Sequence, residues 1–182
     1  MLPGFLSPAA GFDQPFEMLD ACHDRVRRSL RRLQRLASYL REHGVDTPAQ
    51  EAAADVLRYF DVAAPHHHED EERHVFPPLL TAGDAALREA VQGLQRDHGE
   101  MASTWAALRP ALQALADDQS EGLDACAEQQ LAHFVSLYEA HLRVEDEVVY
   151  PAARARIGEA ALAGIGDEMA QRRGAPPPRR AS

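Results

Sequence analysis

Two His-x-x-x-Glu motifs are the residues of this chain best suited to chemistry: His67 with Glu71, and His141 with Glu145. In a helix, residues four apart lie on the same face, one turn from each other. An imidazole nitrogen and a carboxylate oxygen placed in this way can bind one metal ion together. The two motifs therefore predict metal binding by helical side chains.

An internal repeat links these motifs to two further histidines. The segments around the two motifs match at an offset of 74 residues, and the segments around His23 and His98 match at an offset of 75. Such a repeat indicates two similar helix hairpins related by a pseudo-twofold axis. Counting about 1.5 Å per helical residue from each expected turn places all of these residues at one depth. We therefore predict one buried metal site formed by six residues: His23, His67, Glu71, His98, His141 and Glu145.

The composition of this residue set restricts the metals that it can bind. Four imidazoles and two carboxylates are costly to bury in an apolar interior without partners, and divalent cations remove that cost. Imidazole suits zinc, iron, copper and nickel, while the added carboxylates favour iron or manganese. The repeat predicts two metals, each bound by two histidines, with the two glutamates able to bridge between them.

Four long segments with helical periodicity must position these residues, and no segment shows sustained alternation of apolar and polar residues. They cover approximately residues 13–43, 48–80, 84–116 and 121–156. Gly44 follows the first segment as a stop signal, and Thr47 before Pro48 is typical of an N-cap. Pro65 is expected to kink or break the second segment. We predict an all-α, up-down-up-down four-helix bundle with the metal site in its core.

The ends of the chain, its net charge and its cysteines indicate the limits of the domain and its cellular location. Residues 1–12 are expected to form an N-terminal extension, 13–157 the bundle, and 158–182 a partly disordered C-terminal tail. A net charge of −10 argues against general nucleic-acid binding, because phosphates would be repelled. No stretch approaches the length of a membrane span, and the N-terminus lacks a signal-peptide pattern. We expect a cytoplasmic protein with no membrane partner, in which Cys22 and Cys126 are free thiols.

Four sequence segments, taken in order, resemble a known family. HHHEDEERHVFPPL and EAHLRVEDEVVYPAA, with single histidines in LDACHDRV and LQRDHGEM, resemble the hemerythrin-like, HHE cation-binding family over approximately residues 13–157. The resemblance implies an up-down four-helix bundle and two iron ions bridged by carboxylates and an oxo or hydroxo group. It also implies that the six residues named above are the metal ligands. Zinc and manganese stay open as alternatives.

One position departs from the family pattern. Hemerythrins that carry oxygen place two histidines one turn apart on the third helix, whereas His98 has Leu94 four residues before it and Ala102 four residues after it. We therefore expect the centre to lack one protein ligand, which leaves an open position or room for water or hydroxide. This favours peroxide, nitric oxide or dioxygen chemistry over reversible oxygen carriage.

Other histidines near the motifs have less direct roles. His66 and His68 lie about 100° to either side of His67, so either is recruited only if Pro65 distorts the helix. His74 lies on the His67 stripe and is expected to support the ligands from behind.

Several polar neighbours of the motifs are expected to have ordinary structural positions. Glu72, Asp146 and Glu147 adjoin the predicted ligands but point elsewhere, which places them on a solvated face. Tyr150 is most simply a core residue, and the hydroxyl of Tyr138 or Tyr150 could donate a hydrogen bond to a metal-bound ligand.

The leading functional prediction is a di-iron protein that binds or senses a small diatomic ligand, dioxygen or nitric oxide, or peroxide. A peroxidase-like or nitric oxide-reducing enzyme would use the same centre but show sustained turnover with a reductant. Iron storage or delivery would require labile iron, and a structural zinc bundle would be colourless and redox-silent. The redox partner and the oligomeric state are left open.

Overall fold

The computed structural model describes residues 11–176, and this part of the chain is helical without β-strands. Five continuous helical rods follow one another within that range. The first, third and fifth rods are single helices: α1 (Pro15–His43), α5 (Ala85–Ala116) and α8 (Glu159–Arg172). The second rod consists of α2 (Thr47–Arg58), α3 (Ala64–Asp70) and α4 (Phe76–Ala82), joined by π-helical turns at Tyr59–Ala63 and Glu71–Val75. The fourth rod consists of α6 (Ala125–Val144) and α7 (Tyr150–Arg154), joined by a π-helical turn at Glu145–Val149. Within residues 11–176, no helix combines the length and the apolar character that a membrane span requires.

Aspartate side chains begin the second, third and fourth rods. Asp46, Asp84 and Asp124 each accept a hydrogen bond from the backbone N–H three residues later, at 2.7–3.0 Å. Each bond satisfies one of the amides that a helix start leaves without a partner. The prediction of Thr47 as N-cap is wrong by one residue, because Asp46 is the cap and Thr47 is the first helical residue. The fourth rod begins at Ala125, later than predicted, because Asp124 caps it there.

The first four rods pack side by side with short connections. α1 contacts α2 and α6, and α5 contacts the same two helices. Along α1, buried residues recur at spacings of three and four, as the sequence predicts: Leu19, His23, Val26, Leu30, Leu33, Ala37 and Leu40. These spacings direct one face of the helix into the interior.

Two apolar clusters fill the interior, and the predicted site residues lie between them. On α1, His23 separates Leu19 of the smaller cluster from Val26 of the larger one. On α5, His98 occupies the equivalent place between one residue of each cluster. The polar layer is therefore enclosed by apolar side chains on both sides along the rods.

The last helix, α8, lies in the segment expected to be a tail. Arg172 at its end and Arg173 just beyond it both form ion pairs with Asp70, which has no exposed surface. Glu168 of α8 also accepts from His74, with 2.6 Å between Oε2 and Nε2. The Ala- and Gly-rich sequence of this helix has weak periodicity, so the residue pattern did not predict it. Residues 177–182, where the tail ends, lie outside the described residues.

Replacing Asp70 with Asn should destabilise the fold strongly. Its carboxylate is fully buried against the guanidinium groups of Arg172 and Arg173, which would both lose this charged partner. We expect Asp70→Asn to lower the free energy of unfolding by about 3 kcal/mol in urea titrations. Glu69→Gln is the matched control, since Glu69 pairs with Arg172 from a partly exposed position and should cost about 1 kcal/mol or less. Equal losses in both variants would contradict the role of burial.

Candidate metal centre

Four helical rods contribute side chains to one polar layer in the interior. Five of these side chains are at most 2% exposed, and that of His98 is 9% exposed. The structure thus brings together all the residues predicted from the sequence: His23 from α1, His67 and Glu71 from the second rod, His98 from α5, and His141 and Glu145 from the fourth rod. Their role as ligands remains a prediction.

π-helical turns begin at Glu71 and at Glu145, the glutamates of the two repeated motifs. Pro77 and Pro151 each follow six residues later. In a regular α-helix a proline ring clashes with the carbonyl four residues before it. In both turns the residue just before the proline donates its N–H to the glutamate carbonyl, five residues back. The wider turn lets each rod continue past its proline, and it starts at a site residue.

Pro65 follows the same rule, where the sequence predicts a kink or a break. The second rod continues through the π-helical turn Tyr59–Ala63, in which the Ala64 N–H bonds to the Tyr59 carbonyl. Pro110 lies inside α5 without such a turn, so proline alone does not dictate one.

The six site residues form two overlapping groups of four. In each group, one nitrogen or oxygen of every residue lies within 4.8 Å of the others. The first group, here named the α1 half-site, consists of His23, His67, Glu71 and Glu145. The second, named the α5 half-site, consists of His98, His141, Glu71 and Glu145. Each half-site takes both imidazoles from one helix hairpin, and the two half-sites share both glutamates.

Glu71 directs one carboxylate oxygen to each half-site. Its Oε1 lies 3.4 Å from Nε2 of His67 and 3.7 Å from Nε2 of His23. Its Oε2 lies 3.4 Å from Nε2 of His98, across the boundary between the half-sites.

Glu145 divides its oxygens in the same way. Its Oε2 lies 3.2 Å from Nε2 of His23, and its Oε1 lies 3.1 Å from Nε2 of His141. A carboxylate whose two oxygens face different groups of imidazoles can bridge two cations.

Several buried polar atoms of the site lack a hydrogen-bond partner, and their chemistry indicates whether cations fit there. Seven buried nitrogen or oxygen atoms have no hydrogen-bond partner among the described residues: Nδ1 and Nε2 of His67, Oε2 of Glu71, Nε2 of His98, Nε2 of His141 and both carboxylate oxygens of Glu145. Each such atom costs about 1–3 kcal/mol if nothing binds it. Imidazole nitrogens and carboxylate oxygens are donors that divalent transition metals accept. The donor set therefore fits metal ions.

Without a bound cation, the carboxylates hold protons on two of the histidines. Burial lowers the pKa of His23, but the three carboxylates around this imidazole have the larger combined effect and raise its pKa to about 11. Burial also opposes the protonation of His141, whereas Glu145 foremost raises its pKa, to about 9. Burial lowers the pKa of His67. A metal ion must therefore displace protons from His23 and His141.

Carboxylates also hold the outward nitrogens of two imidazoles. Asp146 Oδ1 lies 2.7 Å from Nδ1 of His23, and Glu72 Oε1 lies 2.9 Å from Nδ1 of His98. Such contacts orient a metal-binding imidazole. Glu72 and Asp146 are 34% and 37% exposed, as a solvated face requires, but each also reaches an imidazole of another rod, which the sequence did not predict. The available signal was that each directly follows a glutamate of the repeat.

The repeat does not provide every histidine with such a partner. Asp97 Oδ2 lies 3.3 Å from Nδ1 of His141. At the offset of 75, the residue equivalent to Asp97 is Cys22. The equivalent imidazole, that of His67, leaves its Nδ1 unpaired. The two half-sites therefore differ in the groups that support them.

Residues 66, 68 and 74 belong to neither group of four. His68 stacks on His98 with 4.1 Å between ring centroids, and its Nε2 lies 3.4 Å from the Tyr138 hydroxyl. His74 contacts Glu168 of α8, so the prediction that it supports the site is wrong.

The hydroxyl of Tyr150 donates a hydrogen bond to one of the predicted ligands, as the sequence analysis allowed for either tyrosine. Its hydroxyl donates to Oε1 of Glu71 at 2.5 Å and lies 3.0 Å from Nε2 of His23. Burial, followed by the nearby carboxylates, raises the pKa of Tyr150 well above its ordinary value.

Comparison with known proteins gives two matches. A family model described as "Hemerythrin HHE cation binding domain" matches residues 14–153. A Haemophilus influenzae protein, named only as uncharacterized, is 31% identical over 164 residues, which cover 90% of this chain and 92% of that protein. The family match includes all six site residues and ends before α8.

The metal-free protein should lose stability as pH rises above about 7. His23 and His141 have pKa values of about 11 and about 9 in the folded state, against 6.5 ordinarily. Between these values the folded state binds more protons than the unfolded state. The stabilisation is therefore fully present below pH 6.5 and is lost as pH rises through 9 and then 11. The slope should be about 1.4 kcal/mol per pH unit for each histidine.

Urea unfolding with a chelator, repeated across this pH range, measures the effect. His141→Gln should flatten the curve below about pH 9, because it removes one of the two titrating groups. Stability that is constant or rises with pH would contradict the protonation of these imidazoles.

Proposed function

The chain belongs to the hemerythrin HHE cation-binding family, and from this membership we propose that it is a non-haem di-iron protein that binds or senses dioxygen, nitric oxide or peroxide. The observation that carries the proposal is the division of each glutamate between the half-sites. Both Glu71 and Glu145 direct one oxygen to the α1 half-site and the other to the α5 half-site. This arrangement supports two metals held by shared carboxylates rather than one metal in a single cage.

The number of protein donors supports binding of a small ligand. Each half-site offers two imidazole nitrogens and one oxygen from each of two glutamates. A cation with only four protein donors can keep a position open for an exogenous ligand. The absence of a second histidine one turn from His98 contributes to this shortage of donors.

The donor chemistry and the surroundings support iron. Mixed imidazole and carboxylate donors suit iron, and neither Cys22 nor Cys126 belongs to a half-site. Iron supplies redox chemistry and affinity for small diatomic ligands. The chain orients the imidazoles through Asp146, Glu72 and Asp97, and its two apolar clusters limit the access of water.

We also infer that the first four rods form the up-down-up-down four-helix bundle expected for this family. Short connections between successive rods and the contacts of α1 and α5 with both α2 and α6 support this topology. Reversing direction at each of the three connections would carry the chain through the same polar layer four times.

Protein expressed with iron should contain about two irons per chain, because each half-site has its own pair of imidazoles. Elemental analysis measures this content. The same sample should show a near-ultraviolet absorption band that bleaches on reduction and returns in air. His133→Ala is the control, since His133 is exposed, pairs with Glu100 and should leave both readings unchanged.

Other outcomes would replace the proposal with a different function. Colourless protein that contains zinc, or no metal after iron loading, would leave a structural bundle. Sustained consumption of peroxide or nitric oxide with a reductant would make the chain an enzyme.

Removing a shared glutamate should affect both metals, whereas removing an unshared histidine should affect one. Glu145 faces both half-sites, and His67 belongs to the α1 half-site alone. We expect His67→Ala to retain about one iron per chain and Glu145→Ala to retain well under one. Metal content per folded chain, with circular dichroism as the folding control, measures the difference. Equal iron contents in the two variants would contradict the sharing of Glu145.

A further inference from the structure

Tyr150 places a phenol oxygen inside the α1 half-site. The residue is 2% exposed, and its ring stacks on His23 with 4.7 Å between centroids and 22° between planes. Its hydroxyl lies 3.0 Å from Nε2 of His23 and 2.5 Å from Oε1 of Glu71. Both of these atoms belong to the donor set of the α1 half-site.

We propose that Tyr150 is a further metal ligand, binding through its hydroxyl oxygen in the α1 half-site. This inference rests on the proposed di-iron function. It adds a seventh protein ligand to the six predicted from the motifs, and it makes the two half-sites chemically different.

The spacing of the oxygen supports direct ligation. Two ligand atoms that lie about 2.1 Å from one ion, at right angles to each other, are about 3 Å apart. The 3.0 Å between the Tyr150 hydroxyl and Nε2 of His23 fits that value. The shorter distance to Glu71 is that of a hydrogen bond in which the phenol donates to the carboxylate. When a cation takes the place of that proton, the O–H bond is replaced by an O–metal bond, the proton leaves to solvent, and no electrons are transferred.

The repeat shows that the hydroxyl is an addition to one half-site. Phe76 is equivalent to Tyr150 at the offset of 74. It stacks on His98, with 5.6 Å between centroids and 19° between planes, as Tyr150 stacks on His23. Packing of the ring against the imidazole is thus common to both halves, and phenylalanine is sufficient for it. The hydroxyl of Tyr150 therefore has a role beyond packing.

Direct ligation differs from simple hydrogen bonding in its spectrum. A phenolate bound to ferric iron absorbs visible light by charge transfer, and excitation in that band enhances the vibrations of the phenolate ring. A phenol that only donates to Glu71 gives no such vibrations. Resonance Raman spectroscopy therefore distinguishes a ligand from a residue that positions one.

The experiment uses the full chain, loaded with ferric iron, with iron content measured on each sample. We expect phenolate vibrations that shift when the protein is made with ring-deuterated tyrosine. They should be lost in Tyr150→Phe and retained in Tyr138→Phe. The control is matched, because Tyr138 is equally buried, and its hydroxyl faces His68 outside both half-sites.

The labelled wild-type protein decides the question even if Tyr150→Phe fails to fold or to retain iron. Shifting phenolate bands there and in Tyr138→Phe would support the inference, since the hydroxyls of Tyr39 and Tyr59 contact Asp46 and the Cys22 carbonyl instead. Iron-loaded protein without phenolate bands, or bands that persist in Tyr150→Phe, would overturn it while leaving the di-iron proposal intact. Wild-type protein that binds no iron would overturn both.

Discussion

The carboxylates of Glu71 and Glu145 lie in the interior, have no exposed surface and are surrounded by four imidazoles. Buried carboxylates require compensating positive charge. Protonated His23 and His141 supply it in the absence of metal, and cations can supply it in their place. Both forms of compensation use the same nitrogen atoms, so protons and metal ions compete for the site. The packing around this layer therefore has to hold charged groups in fixed positions and shield them from bulk water.

The helical rods meet that requirement through their packing and their local geometry. Apolar clusters on either side of the layer exclude solvent, and they also supply the hydrophobic stabilisation that offsets polar burial. The π-helical turns at Glu71 and Glu145 start where each rod must adapt to a proline. The α8 helix and the residue after it add ion pairs to Asp70, which lies between His67 and Glu71 in the second rod. The π-helical turns and the ion pairs of Asp70 thus both lie at, or next to, the predicted site residues of the rods.

The internal repeat creates the two half-sites but does not make them equal. Phe76 corresponds to Tyr150, and Cys22 corresponds to Asp97. As a result, the α1 half-site has a phenol oxygen within hydrogen-bond distance of His23, and the α5 half-site has a carboxylate beside His141. Two metals in such a centre would have different donors and different supporting charges. Groups of this kind tune the affinity and redox properties of a metal site.

The sequence by itself determined the helical class and the residues that meet in the polar layer, because i, i+4 spacing and repeat offsets are local properties of a helix. The sequence could not determine which side chains contact residues of another rod. Glu72 and Asp146 point away from their own neighbours in the motifs, and only the packing of other rods brings His98 and His23 to them. The same reason applies to the Tyr150 hydroxyl and to α8, whose position depends on Arg172 and Arg173 reaching Asp70. Periodicity fixes the face of a helix, whereas the contacts of a side chain depend on which helix lies opposite it.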